Sequence, residues 1–357
     1  MEMKVSSPIV KHLILVGGGH SHLAVLKYLG MNPVPGLAVT LISRDINTPY
    51  SGSLPGYITG VYEFDEIHID LRPLAQFANA RIIQEEIQSI DLTKKEIGLH
   101  DRPTISFDLI SLNIGSKPDA FNIPGAHDFA IGIKPIDEFL SHWDSILKLA
   151  IQSLEQDKEF TIAIVGGGPA SVELAFAAQF RIHQELQLKI TEKSLLNIKI
   201  ISADQELLSL HNSKVRSFAK TELARRNIEV ILESYVSGFE ENKVVCENGN
   251  TYRADKVVYA TGASIPAWPG ECGLALTENG FIEVNSHLQS TSHEFVFAAG
   301  DAANIQGEPR PKSGVYAVRQ APLPQQWPHY ARPGGLVHGH LPPRRAGGAS
   351  PRGEGRP

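Results

Sequence analysis

Cysteine is nearly missing from this chain of 357 residues, which holds only Cys246 and Cys272. Two thiols cannot build a disulfide framework or a thiolate zinc site, and their separation of 26 residues excludes a CxxC or CxxxxC redox pair. Long apolar runs are missing too. None approaches the roughly 18 residues that a membrane-spanning helix needs. Met1 to Val10 has neither the basic start nor the apolar stretch of a signal peptide. With no targeting segment, the expected location is the cytoplasm. Positive charge is in deficit, and a net charge of −6 argues against nucleic acid as the main partner. What remains is globular composition, 42% hydrophobic and 20% charged, with length enough for two domains.

The end of the chain has a different character. Residues 321–357 contain 8 Pro, 7 Gly and five Arg against one acid, and no Lys, Ile or Phe. That leaves −10 on the first 320 residues and +4 on the rest. Such a stretch offers no hydrophobic period with which to order itself. A flexible tail is one reading. Replacement of the natural C-terminus, as an out-of-frame or wrongly spliced end would give, is the other, and the abrupt break after Gln320 favours it. The His338/His340 pair lies in this tail and is not read as a metal site, and none is expected elsewhere.

Upstream, short β-rich runs alternate with helical patterns, which implies βαβ units and a parallel sheet. Strands are expected at 12–16, 38–43, 108–113, 161–165, 197–202, 255–260 and 295–298. Helices are expected at about 21–30, 136–154, 171–187 and 213–226. A hairpin with an Asn248-Gly249 turn fits 243–253. The expected fold class is α/β, with two Rossmann-like dinucleotide-binding domains, parallel central sheets and a small antiparallel hairpin layer.

The strongest signal is a repeat. HLILV-GGG-HSHLAVLKYL at 12–29 and TIAIV-GGG-PASVELAFAA at 161–178 share a plan of apolar strand, three glycines and amphipathic helix. A Gly-rich turn lets backbone N–H groups approach a pyrophosphate at a helix N-terminus. Gly17, Gly19, His20 and Ser21 are the first set of candidates, and Gly166, Gly168, Pro169 and Ala170 the second. The third glycine of the pattern is replaced by His22 in the first copy and Ser171 in the second. That glycine serves close helix–sheet packing, so the first helix should stand slightly farther out. His20 and His22 are expected at the phosphate end, either as a polar helix cap or in contact with the cofactor. The carboxylate expected after the second strand is replaced by Ser43, followed by Arg44 and Asp45, and by Ser202, followed by Ala203 and Asp204. Serine there leaves the choice between NAD and NADP open.

Four further motifs carry a family resemblance. FVFAAGDAANI at 295–305 resembles the last flavin-binding motif of the pyridine nucleotide–disulfide oxidoreductase superfamily. YATGASIP at 259–266, with Gly262, resembles that family's ATG turn. SLNIGSKP at 111–118, with Asn113, Gly115 and Ser116, resembles the equivalent turn of the first crossing. EEIQSID at 85–91 resembles the stretch whose backbone near Ile87 meets adenine. Within the superfamily, residues 17–31, 48–60 and 309–320 resemble the NADH-dehydrogenase-like flavoproteins, and most of all the subgroup fused to selenide, water dikinase.

The resemblance implies an FAD domain of 9–125 plus 264–320 with a NAD(P) domain of 126–263 inserted. It implies that Gly300 and Asp301 hold the ribityl chain, and that Pro49, Ser51 and Gly52 lie near the flavin ring. Serine at 43 is normal for the subgroup. Glu173 matches a glutamate near the nicotinamide, where a carboxylate can orient the ribose or shuttle a proton. Lys312 and Ser313 open a segment whose charge and helix N-terminus would face the reduced flavin. The stretch aligned with the redox cysteines of disulfide reductases, YSGSLPGYI, has no cysteine. The implied activity is hydride transfer from NAD(H) or NADP(H) to FAD, and onward to a quinone or other small acceptor. A second reading is a non-catalytic FAD module partnering a selenophosphate synthetase, and a homodimer is a further expected assembly.

Overall fold

The computed structural model describes residues 8–118, 123–188 and 195–307. The tail from 321 onward lies outside the described residues. Two five-stranded sheets, each wholly parallel, form the frame. The first runs Val296–Ala298, Leu109–Leu112, Lys11–Val16, Leu37–Ser43, Arg81–Gln84 in spatial order. The second runs Ala130–Gly132, Lys256–Tyr259, Phe160–Val165, Leu196–Ile201, Glu229–Ile231. In each, the strand ahead of the glycines is central and is flanked on both sides.

That position explains the sequence pattern. All six residues of Phe160–Val165 are buried, because both faces of this parallel sheet are covered, one by helices and the other by antiparallel strands within 236–253. The edge strands Arg81–Gln84, Ala130–Gly132 and Glu229–Ile231 are short and largely unburied, and the apolar pattern of the sequence does not announce them.

The helices follow the same logic. Ile136–Glu155 buries Ile136, Phe139, Leu140, Trp143, Ile146 and Ala150, one stripe at helical spacing. Pro169–Glu185 starts on a proline, whose missing N–H costs nothing at a first helical position. The expected hairpin forms from Lys243–Cys246 and Thr251–Arg253, with Gly249 at φ +81°, and Val236–Glu240 adds a third antiparallel strand. A second three-stranded antiparallel layer, over 87–106, lies in the first half of the chain.

Two features join the sheets. The chain leaves the first half at Lys117–Pro118 and returns at Ala263–Ser264, and these segments pair antiparallel. Leu54, Ile58 and Ile67, between strands of the first sheet, pack into one core with Phe139, Trp143, Leu174 and Ala178 beside the second sheet. Burial of three such aliphatic side chains contributes about 1.5–3 kcal/mol each.

Candidate active site between two glycine-rich turns

Each glycine-rich turn needs a backbone that only glycine adopts freely. Gly17 has φ +92° and Gly166 has φ +133°. A Cβ on Gly17 would run into the carbonyl of Asn113, and one on Gly166 would lie 2.9 Å from the carbonyl of Ala260. Neither following helix has a side-chain cap or an acid in its first turn. Each N-terminus is therefore electrostatically suited to an anion.

A cleft of about 310 Å³ opens at the first turn. Gly17, Gly19, His20, Ser43, Arg44, Pro49, Ser51 and Ile87 line it. Asn113, Gly115, Ser116, Gly300 and Asp301 close it from the neighbouring strands. Thirteen candidates from six separated segments thus meet in one cleft.

Three candidates of this group do not line it: Ser21, His22 and Gly52. His22 is a correction to the expected phosphate-end position. Its side chain is fully buried between helix and sheet, with Nδ1 2.7 Å from the Gly17 carbonyl and Nε2 2.9 Å from Ser111 Oγ. A carbonyl only accepts, so Nδ1–H donates to Gly17 and Nε2 accepts from the serine hydroxyl. Burial drives the His22 pKa down to about 4, against the opposing pull of the Gly17 carbonyl. A neutral, doubly bonded imidazole is what the site holds at neutral pH. Ser21 is buried as well, and Gly52 packs its backbone against the Tyr50 ring.

A smaller cavity of about 80 Å³ lies at the second turn, where Ala170 and Glu173 line it with apolar Leu54, Pro55, Ile58 and Leu174. Burial raises the pKa of Glu173, and nearby His211 opposes that shift. Gly166, Gly168, Pro169, Ser171 and Ser202 surround the turn without lining either cavity, and Gly262 sits exposed in the returning crossover. Lys312 and Ser313 lie outside the described residues.

Ser51, Lys134 and Ile136 line both cavities and form their common wall. Lys134 is a candidate that sequence reasoning passed over. Its ammonium contacts Asp301 Oδ2 and lies 3.2 Å from Ser116 Oγ, which itself donates to Asp301 at 3.1 Å. A lone lysine ahead of a proline carries no sequence signal. Only the fold sets it against an aspartate 167 positions away.

Five buried side-chain polar atoms among the described residues have no partner, and three of them stand at the glycine-rich turns. His20 Nε2 and Asn113 Nδ2 are such atoms at the first turn, and Ser171 Oγ at the second. Burial lowers the pKa of His20, and its ring lies 4.9 Å from that of Tyr50. A dinucleotide supplies phosphate and hydroxyl oxygens that such groups can bond, so the residues present fit FAD at the first turn and a nicotinamide nucleotide at the second.

The comparisons with known proteins agree with this geometry. The family model described as pyridine nucleotide-disulphide oxidoreductase matches residues 11–321, and the chain belongs to that family. Its cofactors are FAD and a nicotinamide nucleotide, and its class is the FAD-dependent NAD(P)H dehydrogenases. The chain is 25% identical over 305 residues to the NADH dehydrogenase-like protein YutJ of Bacillus subtilis, covering 84% of this chain and 79% of that protein. It is 24% identical to the type II NADH:quinone oxidoreductase of Haemophilus influenzae, covering 83% of this chain and 74% of that one. In fold it is similar to the sulfide:quinone oxidoreductase of Aquifex aeolicus, with a TM-score of 0.72 at 22% identity, over 88% of this chain and 75% of that one.

Proposed function

We propose that this chain carries electrons from a nicotinamide nucleotide through FAD to a quinone. The observation that carries the reading is the common wall of Ser51, Lys134 and Ile136 between the two cavities. Two nucleotides seated at the two turns would bring their reactive ends to that wall. Bound FAD would supply hydride-accepting chemistry there. The protein's own groups position and balance charge. Asp301 and Ser116 hold hydroxyls, Lys134 supplies a fixed positive charge, and Glu173 orients the nicotinamide end or holds a proton. The apolar lining of the smaller cavity keeps water away from the transfer.

In domain terms, an FAD domain of 9–125 plus 264–320 carries a nicotinamide domain of 126–263. The site residues are those named above, with Lys134 added. The quinone acceptor is supported by the activity printed for the Haemophilus relative. Among the described residues no helix is long and apolar enough to cross a membrane.

The serines at 43 and 202, where carboxylates would stand, favour a second reading, a flavin module that partners a selenophosphate synthetase without catalysis. One anaerobic titration separates the two. NADH or NADPH added to the yellow protein should bleach the visible flavin band, and a water-soluble quinone should restore it. A band that neither nucleotide bleaches removes the oxidoreductase reading. A bleached band that quinone leaves unchanged removes only the acceptor.

A further inference from the structure

The second strand of each unit ends in the same pattern, Ser-x-Asp, yet the two aspartates are held differently. After the first unit, Ser43 Oγ donates to the backbone carbonyl of Asp45 at 2.7 Å, and the Asp45 carboxylate turns to Arg44 Nε at 2.8 Å. After the second, Ser202 Oγ donates to Asp204 Oδ2 at 3.1 Å and accepts from Asp204 N at 3.1 Å. That bond pair folds the carboxylate back over the glycine turn. A Cβ on Gly167, the middle glycine, would lie 2.6 Å from Asp204 Oδ2.

The surrounding backbone fixes this arrangement. Glu233 N donates to the Asp204 carbonyl at 3.1 Å, and Ser234 N to the Ser202 carbonyl at 2.9 Å. Leu208 N donates to the Gly167 carbonyl at 2.8 Å, so the loop after Asp204 clasps the turn itself. The carboxylate nevertheless stays exposed to a ligand.

In a strand–glycine turn–helix unit the adenine ribose lies beside the middle glycine, at the end of the second strand. We infer that Asp204 receives the 2′-hydroxyl of that ribose and repels a 2′-phosphate, which makes the chain selective for NADH over NADPH. Ser202, which stands where a carboxylate is expected, acts as the positioning residue for an acid two places on. The charge around the turn points the same way. Residues 202–210 contain Asp204 and Glu206 and no basic residue. Arg216 already pairs with Glu206, and Glu233 is exposed on the adjoining turn. A 2′-phosphate would meet carboxylates where NADPH enzymes present cations.

The inference rests on the second turn being a nicotinamide nucleotide site, and the test separates the two claims. Calorimetric titration of the full FAD-loaded chain with ADP-ribose and with 2′-phospho-ADP-ribose needs no turnover. ADP-ribose should bind at least about tenfold more tightly, a ratio worth roughly 1.4 kcal/mol. Asp204→Asn should collapse most of that ratio while leaving the melting temperature unchanged, since the side chain is exposed. Ser202→Ala should shift it in the same direction by less. Equal binding of the two ligands to the wild type, or an unchanged ratio in Asp204→Asn, overturns the inference and leaves the site intact. Failure of both ligands to bind overturns the nucleotide site and the inference with it.

Discussion

The two glycine-rich units are built on one plan, and their third-glycine positions diverge in opposite ways. The first fills the gap under its helix with His22, bonded to both the Gly17 carbonyl and Ser111. The second leaves Ser171 there, with a buried hydroxyl that bonds nothing. At this one position the first unit is thus braced by its own side chain, while the second holds an unpaired hydroxyl. The unpaired atoms of the first unit, His20 Nε2 and Asn113 Nδ2, belong to residues that line the cleft. A tightly held FAD needs a permanent frame, whereas a nicotinamide nucleotide must arrive and leave. Under the proposed function, the same backbone would serve a resident and a visitor according to which groups beneath the helix are already satisfied.

The sharpest way to break this comparison is to place a methyl group on each turn. Gly17→Ala adds a collision with the Asn113 carbonyl to a left-handed backbone, and Gly166→Ala adds a milder one with Ala260. The backbone conformation alone costs a non-glycine residue about 1–3 kcal/mol. Purified Gly17→Ala should be colourless. Gly166→Ala should keep its flavin but lose at least about tenfold in nucleotide affinity, a loss of roughly 1.4 kcal/mol. Loss of colour in both would mean that the division between resident and visitor is wrong.

A second contrast is smaller and reads stability. His22→Ala removes two buried hydrogen bonds and leaves a cavity, at a cost of about 3 kcal/mol by denaturant titration. Ser171→Ala removes a hydroxyl with no partner and should stay within about 0.5 kcal/mol. The pH dependence follows from the same imidazole. Its folded pKa of about 4 lies below its ordinary value of 6.5. Between the two, the unfolded chain holds more protons, so stability is full above the ordinary value and falls as the pH drops toward the folded one. The imidazole contributes roughly 3 kcal/mol across that window. His22→Gln should flatten that part of the stability profile relative to the wild type; an unaltered slope would mean that His22 is not held neutral.

The least effect is expected at Arg44, which faces Asp45 from a half-exposed position. Arg44→Ala should change stability by less than about 1 kcal/mol, as exposed ion pairs do. A larger loss in thermal unfolding would show that the Arg44–Asp45 pair is held more tightly than its exposure implies.

The frame of the molecule could be read directly from the residues. Continuous apolar runs such as Phe160–Val165 occur because both faces of a parallel strand are buried, and glycine triplets fix where each strand must turn. The candidates lining the cleft could be found because each sits at a strand end or in a turn with its own motif. What escaped notice is set by tertiary contact. The edge strand Arg81–Gln84 has one buried residue and so no pattern. His22 reads as a phosphate-end residue, helix cap or cofactor contact, because spacing gives the helix end but not the direction of the ring. Lys134 carries no local signal, since its partner Asp301 lies far along the chain. Asp204 is visible in the sequence two places after Ser202, but not the hydrogen bonds that fold its carboxylate back over the turn.

The paired crossovers at Lys117–Pro118 and Ala263–Ser264 have a consequence for how such a gene can change. Because the exit and the return lie side by side, everything between them is a cassette. It can be lengthened or exchanged for a homologous segment without stretching the sheet that remains, so long as the segment keeps the face against which Leu54, Ile58 and Ile67 pack. A recombination event at that one place could give a flavin fold a different electron donor in a single step.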